Sequence, residues 1–329
     1  MKSIAVMGLG NFGTALACNW LGEGLDVRGW TVEQEVYDSI SASGINEKYL
    51  NDVSLEGLKV SMDIAETVNG ADIVVLALPS GVVLKVVDDV LAHLKSGQIL
   101  LDLAKGLAPG DEMISEVIAE KLSAAGLDCP LCVMMGPTIA PELARGVYTT
   151  ALVTSEDVAM AESLAAALTT RTMKLSAATD SLGAEYWGAF KNVIALACGV
   201  VDGLKEDGRG GDNLKAAVFT AGYREGVTVL PLLGAAPETA LSAAGIGDLF
   251  VTATSPHGRN RAMGERLGKG QSLEQAESEM VMVSEGVRAA RMFDKLFAGK
   301  SIDAPFVRSV CALLDEGASI DEFLDRVMQ

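Results

Sequence analysis

The fold is decided by the stretch Ile4-Ala-Val-Met-Gly8-Leu-Gly10-Asn-Phe-Gly13. Its first four residues are apolar and predict a buried strand, and a helical pattern from Thr14 to Leu21 follows the third glycine. In such a strand–turn–helix, Gly8 permits the tight turn, Gly10 lets a pyrophosphate approach the backbone, and Gly13 lets the helix lie close to the sheet. The N–H groups at the helix start would face the anion. The stretch therefore predicts a dinucleotide-binding loop, with a flexible glycine loop as the alternative.

The end of the second predicted strand bears on the choice between NAD and NADP. An acidic residue there accepts hydrogen bonds from the ribose 2′-hydroxyl, whereas an arginine accommodates a 2′-phosphate. The stretch here is Trp30-Thr-Val-Glu33, which contains no arginine. It favours NAD, because the Glu33 carboxylate would repel a phosphate. Two alternatives stay open: Glu33 could point into solvent, and Arg28 could reach the phosphate from the strand.

Apolar runs alternate with helical patterns in the first half of the chain, which is typical of β-α-β units on a mostly parallel sheet. The candidate strands are Ile4 to Met7, Val27 to Trp30, Asp72 to Leu78, Gln98 to Leu103, Leu131 to Met135, Thr150 to Thr154 and Thr172 to Leu175. Beyond Thr179 the periodicity is helical, for example over Ser181 to Val201 and Asn213 to Leu233. We therefore predict an α/β Rossmann-type dinucleotide-binding domain over residues 1–179 and an all-α substrate and catalytic domain over residues 180–329.

Composition and charge exclude several classes of protein. No apolar run approaches the roughly 18 residues of a transmembrane helix, so we expect no membrane insertion. The chain has 26 basic and 44 acidic residues, a net charge of −18, which argues against a nucleic-acid or anionic membrane partner. The signal-peptide pattern is not seen, and the five cysteines are an odd number. We therefore expect a cytoplasmic protein with reduced thiols.

One cysteine pair, Cys129-Pro-Leu-Cys132, has the spacing of a metal-binding knuckle. No second pair follows it, and His93 and His257 are the only histidines. Two small apolar side chains that lead into a buried strand are the favoured interpretation, so no metal is predicted. A zinc or redox role is the alternative.

Two lysines lie next to apolar segments, where burial of a charged side chain costs free energy unless that side chain has a function. Lys105 closely follows an apolar strand at its carboxyl end, where ligands bind in open α/β sheets. Lys191 lies in an otherwise apolar helical segment, with Trp187 and Ile194 as its neighbours one turn away. A partly buried lysine has a lowered pKa and can act as a general base near neutral pH. A lysine on the solvated face of the helix is the alternative.

A later stretch combines an aspartate, a hydroxyl, an arginine and an amide. It comprises Gly245-Ile-Gly-Asp248-Leu-Phe-Val-Thr252 and, closely after it, Gly258-Arg259-Asn260. The forked N–H donors of an arginine guanidinium group and the N–H donors of an amide both suit a phosphate group. Taken by itself, the stretch is better explained as a capped helix start with a solvated arginine.

Together these stretches resemble the bacterial type of NAD(P)-dependent sn-glycerol-3-phosphate dehydrogenase. The matching motifs cover nearly the whole chain, in the family's order. They are Gly8 to Ala17, Pro79-Ser80, Lys105-Gly106, Gly136 to Glu142, Gly188 to Ala195, Gly211 to Ala217, Pro237 to Thr239, Gly245 to Thr252, Arg259-Asn260 and Glu285 to Val287.

The resemblance implies a role for each matching residue. Lys191 would be the general base that takes the proton from the C2 hydroxyl as hydride leaves C2, and Lys105 would polarise the same oxygen. The groups that orient the lysine and the polyol end match Asn192, Asp248 and Thr252. The groups around the substrate, including its phosphate, match Gly136, Thr138, Gly258, Arg259 and Asn260. The cofactor contacts match Gly8, Gly10, Asn11, Phe12, Gly13, Glu33, Lys105, Ala140, Arg259 and Glu285.

The implied activity is the interconversion of dihydroxyacetone phosphate and sn-glycerol 3-phosphate with NAD(P)H, which feeds phospholipid synthesis, in a homodimer. Trp30-Thr-Val32 replaces the family's usual Trp-x-Arg, which argues against the NADP preference that is common in bacterial members. The segment 204–211 is longer than usual and Gly258 replaces a common serine, so another phosphorylated polyol stays open as substrate. A β-hydroxyacid dehydrogenase of the 6-phosphogluconate type is an alternative that would not require Arg259-Asn260. A non-catalytic dinucleotide sensor is a further alternative that would not need both lysines.

Overall fold

The computed structural model describes residues 3–108, 110, 112–256, 258–280 and 284–328. The chain divides into two compact units, Met1–Ala184 and Glu185–Gln329. Within the described ranges, none of the helices combines the length and the apolar character that crossing a lipid bilayer requires.

The first unit contains an eight-stranded sheet in the order β3-β2-β1-β4-β5-β6-β7-β8. The strands are β1 (Ser3–Met7), β2 (Asp26–Trp30), β3 (Lys59–Ser61), β4 (Ile73–Leu76), β5 (Ile99–Asp102), β6 (Leu131–Met135), β7 (Thr149–Thr154) and β8 (Met173–Ala178). Neighbouring strands are parallel except β6 and β7, which are antiparallel. The predicted mostly parallel Rossmann-type sheet is confirmed.

The third strand is the one that the sequence did not predict. It consists of three residues at the edge of the sheet, and each of them is at least partly exposed. Since such a strand buries little apolar surface, it leaves no apolar run in the sequence.

Both faces of the sheet are covered, which explains why its central strands are continuously apolar. Ile4 and Val6 of β1 belong to one buried cluster, together with Trp20. Ala5 and Met7 belong to a second cluster on the opposite face, because successive side chains of a strand point to opposite sides.

The helices of the first unit connect the strands. They are α1 (Asn11–Leu21), α2 (Gln34–Ser43), α3 (Ile64–Val68), α4 (Ser80–Leu91), α5 (Ile114–Ala124), α6 (Ala140–Ala144) and α7 (Val158–Leu168). Because β1, β2, β5 and β6 run parallel, the segments that follow them lie at one edge of the sheet. Those segments carry Gly8, Glu33, Lys105 and Gly136.

The elements that follow β8 are helical. They are α8 (Ser181–Gly203), α9 (Asp212–Val229), α10 (Asp248–Thr254), α11 (Arg259–Gly268), α12 (Leu273–Ser278), α13 (Glu285–Gly299), α14 (Pro305–Asp315) and α15 (Ile320–Val327). The helix that was expected to continue to Leu233 ends at Val229. The chain goes on as a 3-10 turn, Leu230–Leu233, because Pro231 has no N–H group to extend the α-helical ladder.

Helix α11 packs on α8 through glycines that bring the two backbones into contact. A Cβ atom added at Gly264 would lie 1.9 Å from the carbonyl oxygen of Leu196, and one at Gly199 would lie 2.0 Å from that of Arg261. Any larger residue would therefore push the helices apart. This close packing places Asn260, at the start of α11, against Asn192 of α8.

Candidate active site

The glycine-rich loop has the shape that a dinucleotide pyrophosphate requires. Gly8 has φ +103°, a region that favours glycine, and a Cβ atom at Gly13 would lie 1.9 Å from the Gly8 carbonyl oxygen. Gly10 caps α1 without a side-chain hydrogen bond, and a Cβ atom there would meet nothing within 4 Å. The backbone at Gly10 is thus open to an approaching anion at the start of an 11-residue helix. The observed geometry fits the predicted cofactor.

A buried asparagine supports this loop from behind. The Asn46 Nδ2 atom donates to the Leu9 carbonyl oxygen and to Thr14 Oγ1, at 2.9 Å each. Thr14 Oγ1 in turn donates to the Leu9 carbonyl at 3.1 Å. Sequence reasoning missed Asn46 because it is 32 residues away from Thr14, and no periodic pattern connects the two.

The Glu33 carboxylate is engaged by neighbouring side chains rather than directed into solvent alone. Tyr49 donates its hydroxyl to Glu33 Oε1 at 2.7 Å, and Lys48 forms ion pairs with both Glu33 and Glu35. The hydrogen bonds from Lys48 and then Tyr49 lower the pKa of Glu33. Glu33 is therefore an anion at neutral pH, just beyond the second strand, where an acidic residue would accept hydrogen bonds from a ribose.

Arg28 is directed away from that position. Its Nη1 atom donates to the Asn69 carbonyl oxygen at 2.6 Å, and its Nη2 atom lies 3.9 Å from the carboxylate of Asp26. Asp26 is the first residue of β2 and Asn69 precedes β4, so both partners are at the amino end of the strands. The expected alternative, in which Arg28 reaches a phosphate beyond β2, finds no support in these contacts.

Lys105 and Gly136 are brought together at the carboxyl ends of β5 and β6. The Lys105 Nζ atom donates to the Gly136 carbonyl oxygen at 3.1 Å, and Thr138 Oγ1 donates to the same oxygen at 3.2 Å. Phe12 and Ala140, two of the predicted cofactor contacts, pack against one hydrophobic cluster of this unit, whereas Asn11 at the start of α1 is exposed. The first unit thus holds a cation and a hydroxyl beside one carbonyl group.

In the second unit, Lys191 of α8 and Asp248 of α10 form a buried ion pair, with each side chain 3% exposed. The alternative of a solvated lysine is therefore wrong. Asp248 directly follows the turn Ala243–Gly247, in which the hydroxyl oxygen of Ser242 accepts hydrogen bonds from the N–H groups of Ala244 and Gly245. Thr252, one turn further along α10, donates its hydroxyl to the Asp248 carbonyl oxygen at 2.6 Å.

Asn260 uses its carboxamide within the protein. Its Nδ2 atom donates to Asn192 Oδ1 at 2.8 Å, while its Oδ1 atom accepts from the Ser284 hydroxyl and the Gly286 N–H, at 2.9 Å each. The Asn260 side chain thus connects α8, α11 and the start of α13, where Glu285 lies. These contacts use the Oδ1 atom and one of the two Nδ2 hydrogens, so a phosphate contact from Asn260 would come from its other Nδ2 hydrogen or from its backbone N–H.

Arg259 is the exposed first residue of α11, and Gly258 precedes it without a side-chain cap. Two residues on, Arg261 donates to Asp202 Oδ2 at 2.8 Å and to the Ser255 carbonyl oxygen at 3.0 Å. Lys215 also donates to Asp202, at 2.7 Å. Burial alone would raise the pKa of Asp202, but the hydrogen bonds from Lys215 and Arg261 outweigh it and lower that pKa. These contacts hold the chain on both sides of Arg259.

The cysteine pair shows the features of small buried side chains. Cys129 and Cys132 are both free and buried, and burial raises the pKa of the Cys132 thiol to about 11. Within the described residues, no three His, Cys, Asp or Glu side chains are grouped so that they could hold a metal ion. His257 lies outside these residues.

Comparison with known proteins gives matches in both halves of the chain. Residues 3–161 match the family model for the amino-terminal part of NAD-dependent glycerol-3-phosphate dehydrogenase, and residues 180–325 match the model for its carboxyl-terminal part. A glycerol-3-phosphate dehydrogenase (NAD(P)+) from Rhodospirillum rubrum is 38% identical over 332 residues, which cover 99% of this chain and 93% of that one. One from an Exiguobacterium species is 36% identical over 331 residues, covering 100% and 96%.

Among solved structures, glycerol-3-phosphate dehydrogenase from Coxiella burnetii superposes with a TM-score of 0.88 at 28% identity. The match covers 100% of this chain and 99% of that one. Fold and sequence comparisons therefore agree over the full length.

Proposed function

Because this chain belongs to the NAD-dependent glycerol-3-phosphate dehydrogenase family, we propose that the residues described above are its catalytic and binding groups. The chain is an NAD(P)-dependent oxidoreductase that interconverts dihydroxyacetone phosphate and sn-glycerol 3-phosphate. The alternative of a 6-phosphogluconate-type dehydrogenase is not favoured, and the non-catalytic sensor is wrong because the chain is an enzyme.

The first unit would hold the cofactor, and the second would supply the proton-transfer and phosphate-binding groups. The open backbone at Gly10 would receive the pyrophosphate, and Glu33 would accept from the adenosine ribose. When bound, the dihydronicotinamide supplies the hydride. Asn11, Phe12, Ala140 and Glu285 remain the further cofactor contacts that the resemblance implies.

The buried ion pair of Lys191 and Asp248 is the observation that carries the proposal. Lys191 would hold a proton at Nζ, give it to the C2 oxygen of dihydroxyacetone phosphate as C2 is reduced, and take it back in the reverse reaction. Asp248 would keep the ammonium group in place and compensate its charge. Exclusion of water around the pair strengthens these interactions.

Two further groups would bind the substrate. Lys105, held by the Gly136 carbonyl oxygen, would polarise the C2 oxygen. Arg259, at the uncapped start of α11, would bind the phosphate with its fork of N–H donors, assisted by the backbone N–H groups of the helix start. Gly258 and Asn260 flank this arginine, and Thr138, Asn192 and Thr252 would orient the remaining hydroxyl groups.

We further propose a cytoplasmic homodimer that supplies glycerol 3-phosphate for phospholipid synthesis. The five free cysteines suit a reducing compartment, and twofold dimers are the most common symmetric assemblies. Size-exclusion chromatography with light scattering would test the dimer.

The direct test of the activity follows nicotinamide absorbance when dihydroxyacetone phosphate is added to purified protein with NADH or NADPH. We expect oxidation that depends on the ketone and yields glycerol 3-phosphate. No oxidation of either dinucleotide would contradict the proposal, and 6-phosphogluconate as a better substrate in the reverse direction would identify the other class.

A further inference from the structure

A compact charged cluster, formed by Glu33, Glu35 and Lys48, lies just beyond the carboxyl end of β2. Lys48 pairs with both glutamates, and Tyr49 donates to Glu33 Oε1 at 2.7 Å. Glu33 is the residue that we place at the adenosine ribose, so the inference below rests on the proposed function. Lys48 is the cation that the structure places beside that carboxylate.

The backbone around Lys48 is anchored to the dinucleotide loop. The Leu50 N–H donates to the Asn46 carbonyl oxygen at 3.0 Å and closes the turn that contains Lys48. The Asn46 side chain in turn donates to the Leu9 carbonyl oxygen at 2.9 Å. Because Asn46 is fully buried, these two hydrogen bonds connect the turn that contains Lys48 to the cofactor loop.

The charges in the cluster disfavour a 2′-phosphate. Two carboxylates and one ammonium group leave one net negative charge, and the ammonium group is shared by both carboxylates. A dianionic 2′-phosphate would be repelled by Glu33 and would have to compete with Glu33 and Glu35 for Lys48. Removal of the Glu33 charge makes the cluster neutral and takes away one of the competitors.

We propose that Lys48 is a specificity-determining residue: Glu33 and Glu35 occupy it, which makes NAD the preferred cofactor, and it becomes the partner of the NADP 2′-phosphate when Glu33 is replaced. Tyr49 keeps the Glu33 carboxylate next to Lys48. The preference for NADH over NADPH thus depends on the competition of Glu33, Glu35 and a 2′-phosphate for Lys48 rather than on Glu33 alone.

The test is a double-mutant cycle of Glu33→Gln and Lys48→Met. Both kcat/KM and the dissociation constants of NADH and NADPH are measured at fixed low ionic strength. Glu33→Gln should raise the NADPH/NADH ratio about tenfold, the size of one partly exposed charge-assisted hydrogen bond. In the Lys48→Met background this gain should be several-fold smaller, because only the relief of repulsion by Glu33 remains, whereas Lys48→Arg should preserve the full gain.

Lys59→Met is the matched control, because Lys59 forms an exposed ion pair with Asp26 at the opposite end of β2. Its cofactor ratio should equal that of the unmodified protein. A gain of equal size with and without Lys48 would overturn the proposal, and so would an unmodified protein that already prefers NADPH. The dissociation constants of NADH and NADPH are measured without substrate. Inactivity towards dihydroxyacetone phosphate would therefore contradict the proposed reaction, but the role of Lys48 could still be tested by cofactor binding.

Discussion

The Nζ atom of Lys191 donates a hydrogen bond to the carboxylate of Asp248, across 57 residues of sequence. Both side chains are almost completely removed from water, so the two opposite charges compensate each other. The group that we propose as proton donor is therefore also part of what holds α8 and α10 together.

Replacement of Lys191 should lower the rate of the chemical step without weakening the binding of the cofactor. Lys191→Met removes the proton at Nζ, so kcat should fall by a factor on the order of 10²–10⁴, while the dissociation constant of NADH changes little. Lys269→Met is the control, since Lys269 is a partly exposed lysine that pairs with Glu206 and Glu265. Turnover of Lys191→Met within a few-fold of the control would show that Lys191 is not the proton donor.

The effects of replacing Lys191 and Asp248 on the free energy of unfolding should be strongly coupled. Asp248→Asn removes the carboxylate that pairs with the buried ammonium group of Lys191, which should lower the free energy of unfolding by about 3–5 kcal/mol. Lys191→Met combined with Asp248→Asn should cost about 1–3 kcal/mol less than the sum of the two single changes. Denaturant unfolding of the four proteins measures this, and additive losses would mean that the two charges do not compensate each other.

The effect of Arg259 should depend mainly on the phosphate group of the substrate. Arg259→Ala should reduce kcat/KM for dihydroxyacetone phosphate by an amount equivalent to about 1.5–3 kcal/mol, the value of hydrogen bonds to a charged group. With unphosphorylated dihydroxyacetone the two proteins should differ little. Equal losses on both substrates would assign the arginine a structural role instead.

The contact between α8 and α11 should reverse the usual effect of a glycine-to-alanine change. In a helix this change normally stabilises by up to about 1 kcal/mol, but at Gly264 the new Cβ atom would lie 1.9 Å from the Leu196 carbonyl oxygen. Gly264→Ala should therefore destabilise by about 1–3 kcal/mol and weaken phosphate binding at the start of α11.

Gly81→Ala is the matched control, because its Cβ atom would meet nothing within 4 Å in α4. Its melting temperature should stay the same or rise slightly. If both variants melted at the same temperature, the close packing of α11 on α8 would not be as described.

The cysteine pair allows a test of the metal or redox alternative. Burial raises the pKa of Cys132 from 9.0 to about 11, so this thiol should stay protonated and react slowly with thiol reagents at neutral pH. The partly exposed Cys18 is the internal reference and should react faster. Rapid modification of Cys132, or stoichiometric zinc in the purified protein, would instead support a zinc or redox role for the cysteine pair.

The same shift has a defined consequence for stability. In the unfolded chain Cys132 ionises near its ordinary pKa of 9.0, before the folded thiol does at about 11. The contribution of this thiol is therefore fully present below pH 9.0 and is lost as pH rises towards 11. Cys132→Ala should lose less stability over that interval than the unmodified protein, as measured by denaturant unfolding at each pH.

The sequence was sufficient for features that depend on local pattern. The apolar run of β1, the three glycines after it and the helix that follows are contiguous, so their spacing alone predicted the dinucleotide loop. Lys191 stood out because a lysine among apolar neighbours is costly to bury. The structure confirmed that it is buried, and the family comparison confirmed the predicted reaction.

Tertiary structure decided what depends on residues that are distant in the chain. Nothing in the sequence connected Asn46 with Leu9, Lys48 with Glu33 or Arg261 with Asp202, and each of these contacts closes a loop of 15 or more residues. Single hydrogen bonds and ion pairs carry no periodicity, since they depend on where helices and turns bring individual side chains. Local pattern therefore determined the fold and singled out Lys191 as a candidate, whereas packing determined which side chains hold Lys191, Asn260 and Glu33 in place.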